Sequence, residues 1–320
     1  MNQKLPLAVY YEHPEWFRPL FAELDRRSIR YLRIDARCHV YNATASDRKY
    51  ALFFNRMSAS AYLRGNAQSI FFTRDYLAHL ERIGTRVING GKAFSLEISK
   101  ASQLALLHSL GLATPRSRIV NCATQVASAA REIGFPVIIK PNTGGRGGGV
   151  MRFDSASELE GAAAAGEIDF GIDNTALVQE FIPARGGHIT RVETLGGKFL
   201  YAIKVYTSGE HFNLCPAEIC RTKDGASTAK TMGLVDTPKA GLKVEGYMPP
   251  QEIIAAVEKI VGAAQIDVGS LEYLVDDRDG RIVYYDVNAL SNFVANAPQI
   301  LGFDPHVRLV DYLEEKKEGA

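Results

Sequence analysis

The chain has 320 residues, of which 46% are apolar and 23% charged, so it can bury a large core divided among two or three subdomains. Its 37 lysines and arginines nearly balance its 36 aspartates and glutamates, which predicts no nucleic-acid partner and no anionic membrane surface. The sequence has no run of 18 apolar residues and no signal-peptide core, and we therefore expect a cytoplasmic protein.

Strands and helices alternate in the first part of the chain. Short β-rich segments are separated by stretches with helical periodicity, which is the pattern of βαβ units around a parallel sheet. We therefore expect an N-terminal α/β domain over residues 1–95. Its predicted strands lie at 5–11, 30–35, 50–56 and 85–90, and its predicted helices at 16–25 and 75–83.

The next segment, residues 96–184, is expected to form a small α+β lid domain. A helix is predicted over 94–110, because apolar residues recur there at helical spacing until Gly111 and Pro115 end the pattern. The later predicted strands are at 117–121, 136–140 and 175–182, with helices at 124–133 and 155–165.

A glycine-rich segment, PNTGGRGGGV, follows the apolar strand that ends at Lys140. The lysine precedes the glycines, so the segment is not a Walker loop, and a strand-like sequence follows where a dinucleotide fingerprint would need a helix. The segment therefore predicts a β-hairpin, which can act either as a flap over an anionic ligand or as a flexible surface turn.

Residues 185–320 are expected to form a C-terminal mixed-sheet domain. Gly196-Gly197 joins two β-rich runs and predicts a two-residue hairpin turn. Helices are predicted over 251–264 and 306–314, and the stretch 222–246 has little periodicity and predicts a loop.

A second hairpin, within 269–292, carries acidic residues on strands that are otherwise mostly apolar. A three-residue turn at 278–280 would place Asp277 opposite Arg281 and Glu272 opposite Asp286. Asn288 then shares a face with Asp286, because strand side chains alternate. Two carboxylates and an amide oxygen suit a hard cation such as Mg²⁺, whereas the alternative is a solvent-facing acidic hairpin.

Cysteine chemistry has weak support in the sequence. The four cysteines are scattered, which argues against a disulfide framework. Cys215 and Cys220 lie near His211, but this spacing without a second pair is not typical of zinc sites, and a buried apolar role is the alternative.

Taken in order, these motifs resemble the ATP-grasp superfamily, and within it the RimK-like carboxylate–amine ligases. The resemblance extends from about Phe94 to Asn292. It implies ATP and two Mg²⁺ ions, with Mn²⁺ as an alternative metal. The implied nucleotide-binding residues are Lys100 and Lys140, the flap residues Thr143, Gly144, Gly145, Gly147, Gly148 and Gly149, and the adenine hinge Gln179, Glu180, Phe181 and Ile182.

The same resemblance assigns the remaining site residues. The implied metal ligands are Glu272, Asp286 and Asn288, and the implied catalytic residues are Arg191, Lys204 and Arg221. The sequence departs from the family pattern at Ile189, where relatives carry an aspartate, and at 289–292, which replaces a Ser-Pro-Gly loop. That loop shapes the acceptor site in relatives, so the substrate cannot be transferred from them.

The expected activity is ADP-forming amide ligation through an acyl phosphate, with small-molecule or peptide carboxylates and amines as substrates. No motif for a nucleophilic side chain is present, which agrees with catalysis by positioning and electrostatics. Two alternatives stay open at this point: kinase-like phosphoryl transfer, and an inactive nucleotide-binding regulatory protein. A homodimer is also left open.

Overall fold

The computed structural model describes residues 5–145, 147–206 and 243–319. Within these ranges the strands form three sheets: a four-stranded N-terminal sheet, a four-stranded central sheet and a five-stranded C-terminal sheet. The mixed α/β architecture expected from the sequence is confirmed. No helix in the described ranges is both long enough and apolar enough to span a bilayer.

The N-terminal sheet is parallel throughout, with the order β2-β1-β3-β4. Its strands and helices are β1 (Leu7–Tyr11), α1 (Arg18–Arg26), β2 (Tyr31–Asp35), β3 (Leu52–Arg56), α2 (Ala67–Arg82) and β4 (Arg86–Ile88). Helix α2 begins eight residues before the predicted Asp75. The polar Thr73 interrupts the apolar pattern of this helix in the sequence. In the structure Thr73 is nevertheless buried, and its hydroxyl donates a hydrogen bond to the Ser69 carbonyl.

Two helices occupy the stretch where the sequence predicted one. These are α3 (Gly91–Glu97) and α4 (Lys100–Ser109), so the prediction of a single helix over 94–110 is wrong. Ser99 interrupts the helix in an extended conformation and caps α4 by accepting a hydrogen bond from the Ser102 N–H. Lys100 is consequently the first residue of a helix.

The central sheet is antiparallel, with the order β5-β8-β6-β7. Its strands and helices are β5 (Ser117–Val120), α5 (Ala123–Ile133), β6 (Val137–Pro141), β7 (Met151–Phe153), α6 (Ala156–Ala164) and β8 (Ala176–Glu180). Strands β6 and β7 form the predicted glycine hairpin. The apolar faces of α5 and α6 pack on this sheet and give it a core of its own.

The C-terminal sheet is antiparallel, with the order β11-β10-β9-β12-β13. Its strands and helices are β9 (His188–Leu195), β10 (Lys198–Tyr206), β11 (Val244–Tyr247), α7 (Gln251–Ala264), β12 (Val268–Val275), β13 (Ile282–Asn288), α8 (Ala297–Leu301) and α9 (Pro305–Glu318). Gly196 and Gly197 both have positive φ, as the predicted hairpin turn requires. Strand β11 lies partly inside the predicted loop 222–246, because it pairs with β10, a distant partner that local periodicity does not reveal.

The two faces of the C-terminal sheet pack against different neighbours. One face buries Val192, Ala202 and Leu271 against α7. The other face contributes Ile203 and Val205 to a core shared with the N-terminal sheet, α1 and α9. Because the N-terminal sheet covers only part of this second face, the rest of the face lines a cleft.

Candidate functional site

A cleft of about 310 Å³ lies where the three sheets meet. The N-terminal segment after β3, the glycine hairpin, the end of β8 and the hairpin β12–β13 all contribute side chains to it. Most of the residues predicted to form the site line this one cleft: Lys100, Lys140, Gly144, Gly145, Gly147, Gly148, Gln179, Glu180, Phe181, Ile182, Arg191, Glu272, Asp286 and Asn288.

The acidic hairpin pairs Glu272 with Asp286, as the sequence predicted, although the turn differs from the prediction. Near the turn the register is shifted by one residue, because Asp276 rather than Asp277 pairs with Arg281 through its backbone. A β-bulge at Tyr285 restores the expected register further along the hairpin. The bulged tyrosine donates a hydrogen bond from its hydroxyl to Glu272 Oε2 at 2.9 Å.

Lys100 contacts the acidic hairpin directly. The Lys100 ammonium donates a hydrogen bond to Asp286 Oδ1 at 2.5 Å, and Asn288 Nδ2 donates one to Asp286 Oδ2 at 3.2 Å. Burial opposes the charge on Lys100, but the neighbouring Asp286 and two glutamates outweigh it and raise the Lys100 pKa. Burial, followed by repulsion from Asp286, raises the pKa of Glu272. This pair of buried acids is therefore a place where added positive charge is favourable.

Lys140 is the second cation in the cleft. Its side chain is buried at the end of β6, and burial, followed by repulsion from Lys100, lowers its pKa from 10.5 to about 8. Lysines whose pKa is lowered in this way are found where an anionic ligand later supplies the missing counter-charge.

Arg191 belongs to a closed network of hydrogen bonds. Its Nε donates to Glu193 Oε1 at 2.7 Å, and its Nη1 donates to Glu272 Oε1 at 3.2 Å. Its Nη2 donates to Ser291 Oγ at 2.9 Å, and Ser291 in turn donates to Glu193 Oε2 at 2.5 Å. Each of its three nitrogens therefore donates to a buried side chain, which holds the guanidinium beside Glu272.

The glycine flap, residues 143–145 and 147–149, lies against the N-terminal segment that follows β3. A Cβ atom added to Gly145 would lie 3.5 Å from Ser60 Cβ, and one added to Gly148 would lie 2.9 Å from Leu63 Cδ1. Thr143 supports the flap from behind, since its hydroxyl donates to the Ile98 carbonyl at 2.7 Å. The backbone of the flap therefore closely approaches the segment after β3.

The predicted adenine hinge lies at the end of β8. Gln179 is tied to β5 by a hydrogen bond from Nε2 to Ser117 Oγ at 2.9 Å. Glu180 accepts hydrogen bonds from Arg116 Nε at 3.1 Å and from Arg278 Nη2 at 2.8 Å. Burial works against ionisation of Glu180, but these two arginines lower its pKa. The Arg278 contact also ties the hinge to the turn of the acidic hairpin.

The structure does not bring every predicted residue to the cleft. Lys204 pairs with Thr190 on the face of the C-terminal sheet opposite to Arg191, and its ammonium lies 4.6 Å from the centre of the Tyr247 ring. A shift of one position along a strand reverses the face, so a basic residue in the right segment lies on the wrong side. Arg221, and the candidate zinc residues His211, Cys215 and Cys220, lie outside the described residues.

Several cleft residues gave no signal in the sequence. Glu97, at the end of α3, accepts hydrogen bonds from the backbone N–H groups of Ala289 and Leu290, and burial raises its pKa to about 7. Ser58 and Ser60, in the segment after β3, also line the cleft. These residues look like ordinary loop and helix positions, and only the tertiary structure brings them to the cleft.

Part of the chain is similar in sequence to known proteins. Residues 99–185 match the family model for the carbamoyl-phosphate synthase L chain, ATP binding domain. The chain is 32% identical over 182 residues, 53% of its length, to a probable alpha-L-glutamate ligase of Teredinibacter turnerae, and spans 60% of that protein. A carbamoyl phosphate synthase large chain of Thermotoga neapolitana is 27% identical over 215 residues, which cover 65% of this chain and 18% of the synthase.

The fold of the chain is also similar to that of solved structures. The crystal structure of a RimK domain protein ATP-grasp from Sphaerobacter thermophilus superposes with a TM-score of 0.66, covering 96% of this chain and 98% of that one at 18% identity. The chain therefore has the ATP-grasp fold. Its sequence is similar to that of a glutamate ligase, and its fold is similar to that of a RimK domain protein. The chain spans less than two thirds of the two relatives named above.

Proposed function

We propose that the protein is an ADP-forming carboxylate–amine ligase. The observation that carries this proposal is the meeting of Lys100, Lys140, Glu272 and Asp286 in one cleft beneath the glycine flap. Two cations that could hold phosphate oxygens stand beside two carboxylates that could hold a hard cation. This combination suits a polyphosphate with a divalent metal.

The donor set fits Mg²⁺. No group of three or more His, Cys, Asp or Glu residues able to hold a metal occurs within the described ranges, so the acids do not form a complete protein cage. Mg²⁺ is typically held by one or two carboxylates, with phosphate and water completing the octahedron, and Glu272, Asp286 and the Asn288 amide oxygen would supply the protein share. A bound Mg²⁺ would neutralise negative charge on the phosphates.

The chain's own residues would act mainly by positioning. Lys140 and Lys100 would hold phosphate oxygens, the backbone of the flap would close over them, and residues 179–182 would receive the adenine. The substrate carboxylate would attack the γ-phosphorus, which gives an acyl phosphate and ADP. The amine would then attack the acyl carbon, form the amide bond, and release inorganic phosphate and a proton.

Exclusion of water is the second task of the flap. An acyl phosphate exposed to water would hydrolyse, so a closed glycine hairpin would direct the intermediate to the amine. The contact of the flap with the segment Ser60–Leu63 supports this role, because it brings the lid against the opposite wall of the cleft.

The substrates would be small-molecule or peptide carboxylates and amines. Incubation of the protein with MgATP and pools of carboxylic acids and amino acids, followed by measurement of ADP and product mass, tests the proposal. An amide product with stoichiometric ADP is expected. A phosphorylated product without an amide would instead establish kinase-like transfer, and no ADP release from any pool would establish a nucleotide-binding protein without turnover.

Two single substitutions test the residue assignments. Lys140→Met and Asp286→Ala should each abolish ATP-dependent ADP release, because the first removes a phosphate contact and the second a metal ligand. Lys198→Met and Asp75→Ala are matched controls, since both side chains are mostly exposed and belong to surface ion pairs. Far-ultraviolet circular dichroism would verify the folding of all four variants. Undiminished turnover in Lys140→Met and Asp286→Ala would reject the site.

A further inference from the structure

Arg56, the last residue of β3, is buried without a carboxylate partner. Its side chain is 4% exposed. Its Nη2 donates a hydrogen bond to the Ser291 carbonyl, whereas its Nε and Nη1 have no hydrogen-bond partner among the described residues. Burial lowers the Arg56 pKa to about 10. A buried guanidinium with two unsatisfied nitrogens destabilises a protein unless a ligand completes it.

The surroundings hold the guanidinium in place without neutralising it. The rings of Phe17 and Phe54 lie 5.1 Å from its central carbon, which gives cation–π attraction but no hydrogen-bond acceptors. The carboxylates of Glu97 and Glu193 attract it only at a distance. Glu97 accepts from two backbone N–H groups, and Glu193 is engaged by Arg191 and Ser291.

Arg56 lies directly behind the wall of the cleft. Asn292 Oδ1 is 3.5 Å from Arg56 Nη2, and both Asn292 and Ser58 line the cleft. Strand β3 belongs to a parallel sheet, and Arg56 is at its carboxyl end, the edge where such sheets bind ligands.

The connection to the proposed reaction site is short. Ser291 contacts Arg56 through its carbonyl and Arg191 through its hydroxyl, and Arg191 in turn contacts Glu272. Each nitrogen of Arg191 already donates to a buried side chain, whereas Nε and Nη1 of Arg56 have no such partner among the described residues. Arg56, on the N-terminal sheet, is therefore a buried arginine of this region that no carboxylate neutralises by contact.

We propose that Arg56 binds a carboxylate of a substrate, which is a group other than the carboxylate that becomes phosphorylated. The inference rests on the proposed ligase function and adds the substrate class. Either the amine substrate is an amino acid or peptide whose own carboxylate contacts Arg56, or the acid substrate is a dicarboxylate. In both cases Arg56 would donate to one anionic group from a guanidinium whose Nε and Nη1 have no partner among the described residues.

Binding measurements with matched ligands test this without turnover. The wild-type protein, loaded with Mg²⁺ and a non-hydrolysable ATP analogue, is titrated with pooled amino acids and with the corresponding amino-acid amides. A second arm compares dicarboxylic acids with their monoamides. We expect roughly 10- to 100-fold tighter binding of the carboxylate form in one arm, the value for charge-assisted hydrogen bonds to a buried cation. The pair of ligands whose affinities differ shows whether the carboxylate belongs to the amine substrate or to the acid substrate.

Substitutions locate the effect. Arg56→Met should abolish discrimination between acid and amide while leaving the affinity for the nucleotide analogue unchanged. Arg33→Met is the matched control, because Arg33 is on strand β2 of the same sheet, stacks on the Phe21 ring at 4.1 Å and is half exposed. Arg56→Lys, which keeps the charge but loses the fork of donors, should reduce discrimination to an intermediate value.

The outcomes separate this inference from the proposed function. Equal affinity of the wild-type protein for acids and amides in both arms would overturn it, even if no Arg56 variant folds. Retained discrimination in a folded Arg56→Met protein would overturn it as well. ADP release is measured separately in the wild-type protein, so absent turnover combined with acid-selective binding would reject the ligase activity and leave the carboxylate site established.

Discussion

At the scale of single residues, four buried arginine or lysine side chains in and behind the cleft have different environments. Each nitrogen of Arg191 donates to a side chain, Lys100 is paired with Asp286, and Lys140 and Arg56 have lowered pKa values because burial outweighs their attraction to nearby acids. Incompletely compensated charge is a cost that an anionic ligand removes. The two under-compensated cations are therefore the residues whose protonation should respond most to ligand binding.

The lowered pKa of Lys140 predicts a pH dependence of nucleotide binding. Below about pH 8 the ammonium is charged in both the free and the bound protein, so affinity is independent of this group. Phosphate raises the Lys140 pKa in the complex, so above pH 8 binding must be accompanied by proton uptake. The dissociation constant of a non-hydrolysable MgATP analogue should rise up to about tenfold per pH unit between pH 8 and 9.5.

Calorimetry in two buffers with different ionisation enthalpies measures both the affinity and the proton uptake. Lys140→Arg is the control, because a guanidinium stays charged over this range. Its affinity should stay constant between pH 8 and 9.5. A wild-type affinity that is also constant over this range would show that Lys140 is not the phosphate contact.

At the scale of the elements, the glycines of the β6–β7 hairpin differ in how strictly their backbone conformation requires glycine. Gly149 has a φ of +70°, and a Cβ atom there would lie 2.7 Å from Asp169 Oδ2 and 2.8 Å from Pro141 Cγ. Gly145 has no positive φ, and its added Cβ would make an ordinary contact with Ser60. The flap therefore needs glycine for its backbone geometry at Gly149 but not at Gly145.

Alanine substitutions should separate these two positions. Gly149→Ala should destabilise the hairpin by about 2 kcal/mol or more, from the left-handed backbone together with the steric overlap. Gly145→Ala should change stability by about 0.5 kcal/mol or less. Hydrogen exchange of the β6 and β7 amides measures the difference. Equal protection in the two variants would contradict the assigned backbone geometry.

At the scale of the whole molecule, one buried asparagine joins the N-terminal and C-terminal sheets. Asn89, just after β4, donates hydrogen bonds from Nδ2 to the carbonyls of Val268 and Ala289 at 2.6 and 2.5 Å. Its Oδ1 accepts from the N–H groups of Asp267 and Val268 at 2.9 and 3.1 Å. A single side chain thereby satisfies four backbone groups at the start and the end of the acidic hairpin.

Asn89→Ala should lower the free energy of unfolding by about 3 kcal/mol or more, because it leaves buried backbone groups without partners. Asn174→Ala is the matched control. Asn174 has a similar positive φ, of 51° against 54° for Asn89, but its side chain makes an exposed contact with the Asn121 carbonyl. The control should lose only about 1–2 kcal/mol, the cost of the left-handed backbone. Urea unfolding compares the two, and equal losses would refute the bridging role of Asn89.

The sequence by itself determined the features that depend on neighbouring residues. Alternation of apolar segments gave the parallel N-terminal sheet, and the Gly196-Gly197 turn gave the β9–β10 hairpin. The sequence also placed Glu272 opposite Asp286, because hairpin register depends on the turn and on the alternation of the strands. A β-bulge compensates for the shifted register near the turn. The sequence did not reveal the break between α3 and α4 at Ser99, since a helical pattern can continue across a cap.

Only the tertiary structure decided how the charges are compensated. Arg191 meets Ser291 across 100 positions, and Arg56 meets the same residue across 235. No local pattern records such pairings. The sequence therefore could not show that the nitrogens of Arg191 have side-chain partners while two nitrogens of Arg56 have none among the described residues. It also could not assign Lys204 to the face away from the cleft. Folding brings distant charges into one low-dielectric site, where burial and partners fix their chemistry.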